Sequence, residues 1–411
     1  MTRALGNSSV AYARPRRLPD WSRLLILGTV LVGGTVTIPQ RVDVGVSGLG
    51  VLTVVTCLAA WGLWLSRPWL PRHLGSLVLP LALFVGYSAG SLLWYEPTQQ
   101  GMQNLAVTAG FFGVLLVTAR HVARSPELAA SVYRALDVAT LFSAVVYAAS
   151  VPLHGMGAES FILARPFALF AMIGVARQLA LWQAGDRWAF VRAGLLVGVI
   201  FFSVSRTALV ASLFLFPIAA LVRGGRRGLL TAAVMAVLAV AALLAAVFLS
   251  ETMYERFFGY DATMEVGGVT INASGRRVMW DFLIDASRDD LLLGHGAGAS
   301  SVLVERTFVN LGHPHNDFLR FLYDFGLVGL GIWVWFLAVL AWSLYRRCLR
   351  IVHVAPRELP VALTPLLALL AVTASMFTDN SVGYSFIMLP MGVLIGCAVG
   401  IPEGEHAPRG R

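Results

Sequence analysis

Long apolar runs, separated by short polar stretches rich in arginine or glycine, repeat along the chain from residue 21 to residue 401. The runs are continuous, and most approach the roughly 20 residues that an α-helix needs to cross a bilayer. A lipid-facing β-barrel would alternate polar and apolar residues instead. About twelve spans are expected. They cover 21–39, 46–66, 77–94, 105–122, 129–151, 161–183, 189–204, 207–222, 229–250, 317–345, 360–377 and 382–401. The break at Ser205-Arg206 divides an apolar run too long for one crossing. The expected fold is an all-α polytopic membrane protein. Residues 1–411 form a single membrane-embedded domain, and 251–314 form one large loop within it.

Composition agrees with this pattern. The chain is 57% hydrophobic and 13% charged, with a mean hydropathy of +0.75, whereas soluble domains carry roughly a quarter charged residues. The net charge is +9, and every basic side chain other than histidine is Arg. Such a balance can mark a nucleic-acid binder. Here many arginines sit between apolar runs, where topology accounts for them. Arg67 and Arg72, Arg120 and Arg124, Arg187, Arg223, Arg226 and Arg227, and Arg346, Arg347, Arg350 and Arg357 fall in one set of loops, with both termini. The alternate loops are nearly free of basic residues apart from Arg41, Arg206 and the large loop. The positive-inside rule therefore puts both termini in the cytoplasm and 251–314 outside. The N-terminal Arg3, Arg14, Arg16 and Arg17 precede an apolar run without a clear cleavage site, so it reads as a retained first span. Cys57, Cys348 and Cys397 lie in or beside apolar segments and show no metal-ligand spacing.

The large loop concentrates the remaining polar chemistry. It begins with the interfacial cluster Tyr254-Glu255-Arg256-Phe257-Phe258, and 259–268 reads as irregular. Ser274 is placed to cap a helix over 275–292. On that helix Val278, Phe282 and Leu283 line one side, with Met279 and Ala286 beside them. Asp281, Asp285 and Asp289 form a polar side, and Arg276 shares a face with Trp280. Gly294-His295-Gly296-Ala297-Gly298 follows, and its glycines would let backbone approach a ligand. Two readings of Arg276 and Arg277 stay open. They meet lipid phosphates on an interfacial helix, or they clamp an anionic substrate with their planar donor forks. Arg206 has the same two readings, a snorkelling interfacial charge or a group facing a wet cavity. Arg165, near the outer start of its span, shares that ambiguity.

The loop re-enters the membrane at His313-Pro314-His315-Asn316. Asn316 is a natural N-cap for the next span. His315 then sits at the positive end of a helix dipole, which favours a neutral, proton-accepting ring. Gly326 comes eleven residues after His315, about 16 Å along an unbroken helix. It shares a face with Gly329, where a second helix or a lipid chain could approach closely. Asp317, Arg320 and Asp324 can pair along the same helix. A metal site built from His295, His313 and His315 has no standard ligand spacing and no completing acidic cluster.

Together these residues resemble the O-antigen ligase and O-antigen polymerase-like superfamily of bacterial membrane glycosyltransferases. The pattern is His, then Asn, Ser or Gln, nine residues, and Gly-x-x-Gly, met here by His315, Asn316, Gly326 and Gly329. Ser205-Arg206-Thr207, Gly275-Arg276-x3-Trp280, Gly294-His295-Gly296-x-Gly298 and Thr378-Asp379-Asn380 before Tyr384 also match. The resemblance covers about half the chain, from Arg206 onward. Leu291 departs from it, since relatives often have Pro there. The resemblance implies a glycosyltransferase C-type fold in the bacterial inner membrane, with a periplasmic active site and no metal or other cofactor. The donor would be a glycan on undecaprenyl diphosphate, transferred with inversion to an acceptor hydroxyl on lipid A–core or another glycan. His315 would be the general base, and Arg206 and Arg276 the diphosphate clamp. His313, Asn316, Arg277 and Trp280 are secondary candidates. Membrane lipids, and no nucleic acid, are the other expected partners.

The His-Asn-x9-Gly spacing favours an O-antigen ligase-like role in lipopolysaccharide or surface polysaccharide biosynthesis. A polymerase of O-antigen or exopolysaccharide is the alternative. A transporter or flippase of lipid-linked glycans is more distant, because the polar residues gather outside the membrane, with Asp137 the clearest acid inside a span.

Overall fold

The computed structural model describes residues 20–35, 48–69, 74–159, 161–222, 224–259, 263–266, 269–272, 276–308 and 312–401. Arg3, Arg14, Arg16, Arg17, Arg41, Arg72, Arg223, the Pro39-Gln40 end of the first span, and Ser274 and Gly275 lie outside the described residues.

Each of the apolar segments folds as a helix. Before the large loop come α1 (Asp20–Gly34), α2 (Gly48–Leu65), α3 (Gly75–Gly90), α4 (Gln99–Arg124), α5 (Glu127–His154), α6 (Ala164–Gln183), α7 (Arg187–Phe202), α8 (Arg206–Leu221) and α9 (Gly225–Phe248). The loop carries α10 (Glu251–Phe258), a hairpin of β1 (Thr263–Val266) and β2 (Val269–Asn272), α11 (Arg276–Ala286) and α12 (Ala299–Thr307). After it come α13 (Asp317–Ile351), α14 (Leu359–Ser375) and α15 (Ser385–Gly400). Among the described residues, seven helices are long and apolar enough to cross a membrane, and four shorter apolar ones accompany them. The protein is a polytopic helical membrane protein.

Local chemistry sets several helix starts. Thr98 Oγ1 accepts from Gly101 N at 2.9 Å to open α4, and an Asp186 carboxylate oxygen accepts from Trp188 N at 3.0 Å to open α7. α4, α6, α14 and α15 form the buried centre, while α2 and α9 turn most of their side chains outward. One seam is built from small residues. A Cβ at Gly392, Gly396 or Gly400 of α15 would come within 2.7, 2.7 and 2.6 Å of the Phe111, Leu115 and Ala119 carbonyls of α4. Only glycine at this four-residue spacing lets the two backbones touch.

The loop departs from expectation in three places. Thr263–Val266 and Val269–Asn272 pair as antiparallel strands, Thr263 with Asn272 and Val266 with Val269, whereas 259–268 was expected to be irregular. The loop helix ends at Ala286 and is followed by turns. Its buried face is Met279 and Leu283, with Ala286 packed beside them, whereas Val278 and Phe282 are exposed.

The glycine motifs also act differently than their spacing suggested. Gly326 has φ 62° and breaks α13, so it is not on one continuous helical face with His315 or Gly329. A Cβ there would fall 2.2 Å from the Leu292 carbonyl, and one at Gly294 would fall 2.4 Å from Gly326 N. Leu327 N and Val328 N donate to the Leu291 and Leu292 carbonyls at 2.8 and 3.2 Å. Gly326 thus admits loop backbone, not a helix or a lipid. Gly329 packs beside Phe325 and Tyr87. Gly296 and Gly298 accommodate Tyr95, Thr98 and Gly101, so this motif clips the loop onto the α3–α4 end of the bundle and not onto a ligand. Asp324 accepts from Ser300 N at 2.7 Å and Gly298 N at 3.2 Å, strengthening the same clip.

Gly326→Ala should therefore destabilise the purified protein. Gly326 has φ 62° and ψ −167°, an essentially glycine-only region that costs another residue about 1–3 kcal/mol, and the Leu292 contact adds to it. Thermal unfolding in detergent should show a clear drop for Gly326→Ala. Gly331→Ala, where an added Cβ meets nothing within 4 Å, should change little.

Candidate active site

Two helix starts bring the site together. α7 ends at Phe202, and Ser203-Val204-Ser205 turns the chain into α8 with Arg206 as its first residue. α13 begins after His315, with Asn316 Oδ1 accepting from Leu319 N at 3.1 Å as the expected N-cap. Among the described residues, the non-glycine positions with positive φ are Val204 (57°) and His315 (51°). Each sits at one of these turns, and such conformations persist only where surrounding contacts enforce them. Tyr147 OH and Gly157 N both bond the Phe202 carbonyl, at 3.3 and 2.8 Å, just before the first turn. Trp280 Nε1 donates to the Pro314 carbonyl at 2.8 Å, next to the second.

Arg206, Arg276 and Trp280 line one groove of about 370 Å³. Its walls are Val210, Ala211, Phe214, Leu215 and Ile218 of α8 and Leu370, Ala371 and Ala374 of α14. Arg206 donates to the Arg256 carbonyl and lies 5.7 Å from the Phe257 ring centroid, so α10 borders the groove mouth. Arg276 Nη1 donates to the Thr378 carbonyl at 2.7 Å. The Thr207 and Thr378 hydroxyls are hydrogen-bonded at 2.6 Å, tying the start of α8 to the turn after α14. The two guanidiniums therefore share one polar mouth above an apolar channel.

His315 adjoins this mouth through Arg165 and Asp379. Arg165 makes a double ion pair with Asp379, Nε to Oδ2 at 2.8 Å and Nη2 to Oδ1 at 2.5 Å. The same Nη2 is 3.2 Å from His315 Nδ1. A guanidinium only donates, so Nδ1 is the acceptor and the neutral ring carries its proton on Nε2. Asp379 Oδ1 also accepts from Tyr384 OH at 3.0 Å and from Asn380 N at 2.7 Å. Burial first, then the Arg165 and Arg276 charges, pushes the His315 imidazole down to about 3. The ring is neutral as its position suggested, with burial as the leading cause. His313 is also lowered, by burial and then Arg320 and Arg165. Its ring lies 6.5 Å from that of His315, centroid to centroid, and its Nδ1 is 3.5 Å from Ser301 Oγ. Burial followed by the nearby Arg165 charge lowers Arg276.

The remaining candidates fall into place around this cluster. Arg277 is half-exposed and faces Asp281 at 3.8 Å, away from the groove. His295 stacks on Tyr323 at 4.1 Å between centroids and supports the loop. Asp317 pairs with Arg320 at 2.8 Å and accepts from Val382 N at 2.9 Å, which pins the start of α13 to the α14–α15 turn. Arg165 and Asp379 are the site residues that sequence reasoning did not select. Their signals were an arginine at the outer start of a span and the Thr378-Asp379-Asn380 ending.

Residues 192–334 match the family model described as O-antigen ligase. That segment runs from α7 through the large loop into α13, about a third of the chain, and over that stretch the chain is similar to the O-antigen ligase family. It contains Arg206, Arg276 and His315, while Arg165 and Asp379 lie outside it. No curated protein matches the chain.

¹⁵N-imidazole NMR can check the ring directly. His315 should remain a neutral Nε2–H tautomer while pH falls from about 8 through its ordinary value near 6.5. Arg165→Gln removes a positive neighbour, so the His315 pKa should rise toward 6.5.

Proposed function

We propose that this chain is an O-antigen ligase-like glycosyltransferase of the bacterial inner membrane. It moves a glycan from undecaprenyl diphosphate to an acceptor hydroxyl, with lipid A–core as the leading acceptor. The observation that carries this reading is the single groove with Arg206, Arg276 and Trp280 at its mouth and aliphatic side chains along its walls. A polyprenyl diphosphate has the matching construction, a double anion on a long apolar chain. From Arg206 to Ile218 the α8 wall extends about 18 Å, ample for several isoprene units. The arginine-rich loops support about twelve crossings, cytoplasmic termini and a periplasmic site.

In the reaction, the acceptor oxygen attacks the anomeric carbon from the face opposite the diphosphate, inverting the linkage. Its proton passes to His315. The carbon–oxygen bond to the diphosphate breaks, and the electron pair leaves with undecaprenyl diphosphate. Negative charge grows on that leaving group, where Arg206 and Arg276 stabilise it. This reading gives the guanidiniums the work that a divalent cation would otherwise do. His315 Nδ1 must exchange Arg165 for the acceptor hydroxyl before it can take the proton. The incoming diphosphate offers Arg165 a competing anion, and partial neutralisation of the arginines raises the basicity of the ring. Arg165 is thus a positioning residue whose release accompanies donor binding. A polymerase would use the same steps with a lipid-linked glycan as acceptor.

A lipid-linked oligosaccharide transfer assay tests the assignment. His315→Ala should lower turnover by about 10²–10⁴-fold, the usual contribution of a general base, while donor binding persists. Full activity would remove His315 from its role. Arg276→Ala should weaken donor engagement by about 10- to 150-fold, equivalent to about 1.5–3 kcal/mol for a charged hydrogen bond. Arg206→Ala should act in the same direction. Unchanged donor engagement in both variants would remove the diphosphate clamp.

A further inference from the structure

A second groove, of about 460 Å³, opens between α5, α6 and α7. It is remote from the site above. Its polar residue on α6 is Gln178, thirteen residues after Arg165, or about 20 Å along the helix toward the other end of the bundle. The walls include Leu141, Ala144, Val145, Leu195, Leu196 and Val199. Leu141, Val145 and Leu195 are 65%, 57% and 66% exposed, as is neighbouring Val138 at 61%, so the groove opens on an apolar outer face. On such a face, exposed apolar side chains meet lipid.

The polar end of this groove is built from charges of both signs. Asp137 and Arg192 line it with Gln178. Arg192 Nε donates to Gln178 Oε1 at 2.8 Å, and its Nη2 pairs with Asp186 at 2.5 Å. Asp137 meets Arg177 Nε, Arg177 Nη2 and Gln178 Nε2, all at 3.4 Å, the outer limit of hydrogen bonding. Arg177 is shared with the Tyr133 ring, its guanidinium carbon 4.6 Å from the centroid. The Asp137 side chain remains 36% exposed. A carboxylate on a lipid-facing groove is costly without a close donor, and charged residues inside spans mark binding functions by default. Two arginines and two aspartates leave the cluster with no net charge. It therefore fits a headgroup carrying both an ammonium and a phosphate better than one that is purely anionic. The Gln178 amide bridges Asp137 and Arg192, which holds the acceptor and the donor one side chain apart.

We infer that this groove is a binding site for a zwitterionic phospholipid with a primary ammonium, of the phosphatidylethanolamine type. The ammonium donates to Asp137, the phosphate accepts from Arg192, and an acyl chain lies along the α5–α7 walls. The site belongs to the bundle half away from His315 and does not depend on the transfer reaction.

Native mass spectrometry of the full chain, equilibrated in detergent with equal phosphatidylethanolamine, phosphatidylcholine and phosphatidylglycerol, tests this. The expected result is selective retention of phosphatidylethanolamine, because a quaternary ammonium cannot donate to Asp137 and an anionic glycerol headgroup brings no cation. Asp137→Asn should reduce that selectivity about tenfold, the lower end for a charged hydrogen bond. Leu195→Trp, which fills the groove without touching the charges, should lower retention of the lipid altogether. Equal retention of the ethanolamine and choline lipids, or preference for the glycerol lipid, would overturn the proposal. So would selectivity unchanged in both variants. Should Asp137→Asn not fold, the wild-type ranking and Leu195→Trp decide the matter.

Discussion

The buried Asp379 carboxylate organises the whole site. It sits in the turn between α14 and α15 and receives two hydrogen bonds from Arg165, one from Tyr384 and one from its neighbour's amide. Through Arg165 it reaches His315 Nδ1, and the adjoining Thr378 carbonyl receives Arg276. Four elements distant in sequence, α6, α11, the start of α13 and the last turn, are thereby held to one point. Removing Arg165 would leave the Asp379 carboxylate, itself buried, without its charged partner. The arrangement is thus constrained by charge balance as much as by packing.

That constraint explains which parts of the site were legible in the sequence. Arg206, Arg276 and Trp280 were readable because each belongs to a short local motif, and the structure lines one groove with all three. Asn316 was readable because capping is a local preference. Arg165 and Asp379 were not selected because their partnership spans 214 residues and leaves no spacing to read. Arg277, adjacent to Arg276, shows the converse limit. Sequence neighbours on a helix point in different directions, and it turns to Asp281.

The fold was legible to a similar depth. Continuous apolar runs gave the helices, and the Ser205-Arg206 break coincides with a real turn. The glycines misled, because their spacing suggested a helix face while φ and contacts depend on distant backbone. Gly326 is shaped by Leu292, and Gly296 by Tyr95. The strands Thr263–Val266 and Val269–Asn272 alternate polar and apolar residues on either side of Gly267-Gly268 in the sequence, a local hairpin signal that reading 259–268 as irregular passed over.

The seam of Gly392, Gly396 and Gly400 against α4 has a mechanical corollary. Backbones in direct contact cannot slide or part without losing dispersion along their whole length, so this central seam is a fixed spine. The α8 and α14 walls meet through side chains around a hollow, and they form the more compliant side. Any widening of that groove is therefore expected on this flank, with the α4–α15 seam as the fixed side against which it flexes.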